Sequence, residues 1–149
     1  MRLGIIILYQ GQKDPLADIF KRGFLDYLDD IEVCLVNNSG AIGPAEHLSK
    51  DLEQLQNFNV LNISKSKSIN SAIRAGARYM YSQFPFEHLG QITCQDFEEI
   101  VEAIKRVNND HTSILEWNRT RNSNANRRLT QFQRVFPLSQ YYSKIHTTS

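Results

Sequence analysis

The chain has 149 residues, of which 41% are hydrophobic and 22% charged, with a formal net charge of +1. That size suits one domain with a substantial core, and the balance is that of a soluble globular protein rather than a disordered or strongly nucleic-acid-attracting one. No apolar run approaches the roughly 20 residues needed to cross a bilayer, and GIIILY followed by GQKDP lacks the cleavage pattern of a secretory leader, so the expected location is cytoplasmic.

Residues 3 to 9, LGIIILY, form a continuous apolar run with β-branched character, as in a strand covered on both faces, and are expected to be the central strand. Asp14 before Pro15 starts a helix over 15 to 28, with Leu16, Ile19, Phe20, Phe24, Leu25 and Leu28 at helical spacing. IEVCLVN, 31 to 37, is a second strand, and NSGAIGP is a turn. A helix over 44 to 56 carries Leu48, Leu52 and Leu55, and FNVLNIS, 58 to 64, is a third strand. The helix over 68 to 83 presents Ile69, Ala72, Ile73, Gly76 and Met80 on one side. LGQITC is a fourth strand and leads into a helix from about Phe97 to Asn108, where Asp96 is the N-cap and Glu99 completes a capping box. TSILEW reads as a fifth strand and NRTRNSNANRR as a loop. Residues 127 to 143 regain helical spacing through Leu129, Phe132, Val135, Phe136 and Tyr142, with Pro137 expected to kink or divide that helix.

This alternation predicts an α/β fold of Rossmann-like type: a mostly parallel sheet with helices on both faces, followed by a C-terminal basic amphipathic helix. The division expected is an α/β domain over 1–117 and a basic loop and helix over 118–149. Ligands in such sheets lie at the carboxyl ends of the strands, which draws attention to the loops after Tyr9, Asn37, Ser64, Cys94 and Trp117. Cys34 and Cys94 sit in predicted strands with no Cys or His at metal-ligand spacing, so they read as buried thiols, with a disulfide left open. Trp117 reads as a buried aromatic and Glu116 as a solvent-facing strand residue, while His47, His88, His111 and His146 have no partner visible in sequence.

Charge is unevenly distributed. Up to Glu116 there are 11 Lys and Arg against 16 acids, whereas from Trp117 onward there are six basic residues and no acid. With the apolar residues interleaved among them, this end suggests self-association through the C-terminal helix or peripheral contact with an anionic membrane. Arginines mixed with Tyr and Phe also suit base stacking, but the near-zero total charge and the lack of a recognition motif argue against nucleic acid.

The strand ends carry a resemblance. Tyr9-Gln10-Gly11 closes the first strand, VNNSG with Asn37, Asn38, Ser39 and Gly40 closes the second, and KSINSAIRAGA supplies Lys67, Ser68, Ala72 and Gly76. In order and spacing these resemble the nucleotide-sugar-binding half of the family-2 glycosyltransferases, over roughly residues 3 to 119. The resemblance implies the glycosyltransferase A fold and transfer of a sugar from a nucleotide sugar. It places Tyr9, Gln10, Asn37, Asn38, Ser39, Lys67 and Arg74 around the nucleotide sugar, Arg119 and Arg128 on the phosphate side, and a divalent cation, manganese or magnesium, at Asp96.

The departures from that family concern charge. Its fourth strand ends in a pair of acids that hold the metal against the diphosphate, while Cys94-Gln95-Asp96 offers one. The general base that inverting transfer requires has no counterpart, since no acid follows Glu116. Two readings follow: a glycosyltransferase-like protein with weak or no activity as this chain, or a non-catalytic binding or self-assembly module that keeps the fold.

Overall fold

A computed structural model describes residues 3–11, 28, 30–38, 57–63, 65, 67–122, 130 and 132–147. The helices expected over 15–28 and 44–56 lie outside them, apart from Leu28. The strands are β1 (Leu3–Tyr9), β2 (Ile31–Asn37), β3 (Phe58–Asn62), β4 (Leu89–Cys94) and β5 (Val135–Pro137). They form one five-stranded sheet in the order β3-β2-β1-β4-β5. Every pairing is parallel. β1 is central, as its unbroken apolar run predicts, and all seven of its residues are buried.

Three described helices pack on this sheet: α1 (Ile69–Gln83), α2 (Phe97–Asn122) and α3 (Leu138–Thr147). Alternation along β1 divides the core in two. Ile5 and Ile7 join Val33, Leu35 and the α2 residues Ile100, Ile104, Val107 and Ile114 on one face, together with Phe136, Leu138 and Tyr141. Ile6 and Leu8 join Val36 and the α1 residues Ala72, Ile73, Ala77 and Met80 on the other. Each fully buried Ile or Leu contributes about 1.5–3 kcal/mol relative to exposure, so the two-sided burial of β1 anchors both layers.

Local chemistry sets the bounds of α1. Ser68 caps it, its hydroxyl accepting from the Ser71 N–H at 3.2 Å. At the other end the Phe84 N–H still bonds Met80 O, and Phe84 is extended with φ −139° and ψ 149°, the conformation that the following Pro85 demands. Gly76 lets α1 approach closely: a Cβ there would lie 2.7 Å from Val36 Cγ2 and 3.1 Å from Ile6 Cγ2. Ile69, expected on the core side, is 47% exposed at the first turn.

The carboxyl-terminal third differs from its expectation. TSILEW is not a strand; it continues α2, which runs 26 residues from Phe97 to Asn122 and so crosses the boundary expected at 117. The apolar spacing never stopped: Ile104, Val107 and Ile114 are all buried, and Asn118 continues the same face. Asn108, Asn109 and Asp110 resemble a turn, but their helix penalty is at most about 0.7 kcal/mol each, less than the burial of Ile114 returns. The fifth strand is instead Val135–Pro137, preceded by a 3-10 turn over Phe132–Arg134. Thus, where a helix over 127–143 kinked or divided at Pro137 was expected, the described residues form a short strand up to Pro137 and α3 (Leu138–Thr147) after it. Phe136 precedes a proline and is biased to extended backbone, and Pro137 ends the strand. No described helix is long and apolar enough to cross a membrane.

Candidate functional site

The sheet order reverses direction between β1 and β4, since β2 and β3 extend from one side of β1 while β4 and β5 extend from the other. Crevices outside the carboxyl ends at such a reversal are where parallel sheets hold ligands. Main-chain bonds carry the ladder one step beyond the strands there: Gln10 N to Cys94 O at 2.9 Å, Asn38 N to Tyr9 O at 2.9 Å and Ile63 N to Asn37 O at 3.0 Å. Tyr9, Gln10, Asn37, Asn38, Lys67 and Asp96 therefore all stand at this end of the sheet.

The asparagines are engaged with the protein itself. Asn37 and Asn62, partners in the β2–β3 register, join through Asn37 Nδ2 and Asn62 Oδ1 at 3.1 Å. Asn38, 3% exposed, donates from Nδ2 to Lys67 O at 2.9 Å and accepts from Lys67 N at Oδ1 at 2.8 Å. Its amide thus imitates a strand partner and clamps the segment that leads into α1. Lys67 is exposed beside the Ser68 cap, and Tyr9 is buried. Gly11 lies so close to the Tyr9 ring and the Gln95 carbonyl that no side chain has room there.

Asp96 serves as a helix cap. Its Oδ1 accepts from the Glu99 N–H at 2.9 Å, while Glu99 Oε2 accepts from the Gln95 N–H at 2.6 Å. The capping box is therefore present, with the reciprocal bond reaching one residue earlier than the usual cap N–H. No group of three or more His, Cys, Asp and Glu is arranged to hold a metal among the described residues. Burial, with Glu99 and Asp96 adding to it, pushes the Cys94 thiol up to about 12, and burial does the same for Cys34. Both cysteines are free.

The remaining candidates are dispersed. Arg74 is exposed, about 8 Å along α1 from Ile69. Arg119 is exposed on α2, 22 residues past Phe97 and hence about 33 Å along the helix from the carboxyl end of β4. The structure does not bring it to the strand ends. Ser39 and Arg128 lie outside the described residues. His88 precedes β4 at the opposite end of the sheet, where burial lowers its pKa, Glu87 raises it, and Arg134 and Arg121 lower it further.

Sequence reading missed a cleft beside β4. β1 pairs with Thr93 on one side, but because β5 ends at Pro137, opposite Gln91, no strand among the described residues lies beside Thr93 on the other, and α2 and α3 flank the gap. The space is about 500 Å³ and is lined by Ile92, Thr93, Cys94, Glu99, Glu102 and Arg106 among others. Arg106 stacks on Tyr142, with Cζ 3.9 Å from the ring centre. Burial, with Asp110 nearby, pushes the Tyr142 hydroxyl up to about 12. The sequence signal was faint: Glu102 and Arg106 read as an ordinary helix-surface pair four residues apart. Comparison with protein-family models, characterised proteins and solved structures finds no match to this chain.

Proposed function

We propose that this chain is a nucleotide-binding module of the glycosyltransferase type, with little or no sugar transfer of its own. The observation that carries the reading is the parallel sheet whose order reverses between β1 and β4, with Tyr9, Gln10 and the Asn38–Lys67 clamp at its carboxyl end. The resemblance in the strand-end motifs supports the same ligand class. Lys67, on the segment that Asn38 clamps, supplies a cation for a diphosphate, and the Gln10 side-chain amide supplies a neutral hydrogen bond to a nucleoside.

Weak turnover follows from charge. A departing nucleoside diphosphate carries dense negative charge that needs preorganised neutralisation, and the end of β4 contributes the single acid Asp96, already bonded to the Glu99 N–H. Titration calorimetry with uridine and guanosine diphosphates, with and without manganese, tests the reading. Binding is expected for one of them, unchanged in Asp96→Asn and weakened in Lys67→Gln, whereas Asp96→Ala lowers stability by about 1 kcal/mol through the lost cap. Absence of binding to either nucleotide would remove the reading; manganese-dependent sugar transfer that Asp96→Asn abolishes would replace it with an active enzyme.

A further inference from the structure

The sheet has two edges, and they are finished differently. β5 is three residues long, follows Arg134 and ends in Pro137, which has no N–H to offer. These are devices by which edge strands avoid pairing with other chains. β3 has none of them: residues 57–63 read Asn-Phe-Asn-Val-Leu-Asn-Ile, without charge, proline or glycine.

The direction of its main-chain groups follows from two bonds. Val33 N donates to Asn57 O at 2.9 Å and Ile63 N donates to Asn37 O at 3.0 Å, so the odd-numbered residues face β2. Successive residues of a strand point their N–H and C=O groups to opposite sides. Val60 and Asn62 therefore direct theirs outward, where no strand lies among the described residues. Val60 and Leu61 are half-buried, packed on opposite core faces.

We propose that β3 pairs antiparallel with β3 of a second copy about a two-fold axis at Val60, joining the two sheets into one continuous sheet. A second copy fits because the edge is self-complementary. Reversed on itself about Val60, the segment exchanges both main-chain bonds of Val60 with its equivalent, opposes two β-branched side chains on one face and brings no like charges together. Of the apolar residues that suggested a contact through the C-terminal helix, Phe136 and Tyr141 are buried in their own core. This inference does not depend on the nucleotide reading.

Sedimentation velocity of the full chain over a concentration series tests it, together with amide hydrogen exchange. The expected result is a species of twice the 17.2 kDa chain mass at high concentration. Val60→Lys, which sets two ammonium groups against each other, should be monomeric with an unchanged far-ultraviolet spectrum. Should that variant unfold, the wild type still decides: the Val60 and Asn62 amides must become more protected as concentration rises. A wild-type monomer up to millimolar concentration, a dimer that persists in folded Val60→Lys, or a dimer whose Val60 and Asn62 amides exchange as in the monomer would each overturn it.

Discussion

On one flank of β1, strands β2 and β3 coincide with apolar runs in the sequence and are tied at their ends by side-chain amides. On the other flank, β4 is equally legible, but its neighbour β5 is a three-residue strand that only long-range packing defines. The first flank is built from segments that are themselves strand-like; the second is closed by α2, β5 and α3 acting together around Trp117. Trp117 lies 6.0 Å from Phe136 and 5.6 Å from Tyr141 between ring centres, and the Arg121 guanidinium sits 4.6 Å above it. Such a flank depends on aromatic contacts between elements rather than on any one element's propensity.

Ile114→Ala tests the second flank most severely. Ile114 is fully buried on α2, and its truncation should cost about 2–5 kcal/mol in denaturant unfolding; a cost under about 1 kcal/mol would mean that TSILEW does not continue the helix into the core. On the first flank, Asn38→Ala removes both bonds to the Lys67 main chain. About 1–3 kcal/mol should be lost, with faster amide exchange at Lys67 as the specific readout.

Arg121→Ala is milder, at about 0.5–1 kcal/mol for the stacking contacts over Trp117 and Phe136. It should also shift the emission of Trp117, the single tryptophan in the chain, whereas Asn38→Ala should leave that emission unchanged. The smallest effect concerns pH at the amino end of β4. Burial depresses His88 below its ordinary value of 6.5, so in the acid interval below that value the unfolded chain binds the proton more readily than the folded one. Stability should accordingly fall as pH drops through 6.5 and recover as it rises; His88→Gln should flatten that slope in thermal melts, and an unchanged slope would assign the dependence to other groups.

The legible parts share one property. β1 and β2 are bounded correctly because residues that meet helices on both faces leave a nearly uninterrupted apolar run in the chain. Asp96 was recognisable as a cap because capping chemistry involves residues within one turn, whereas Ser68 was read as the first residue of its helix and proves to be its cap. For the candidate site, the order of strand-end residues was readable, but the use of Asn38 was not, since its partner Lys67 lies 29 positions away. Glu102, Arg106 and Tyr142 escaped notice for the same reason: they converge only after α2 and α3 have docked on β4.

By itself, then, the sequence determined the α/β class, the central place of Leu3–Tyr9, and the residue that caps α2, because each of these follows from periodicity or from hydrogen bonds between near neighbours. Only the tertiary structure decided that TSILEW belongs to a 26-residue helix and that Val135–Pro137 completes the sheet. Three extended residues have too little local preference to declare themselves. Their conformation is set by the main-chain partners that β4 offers and by the burial of Phe136 against Trp117.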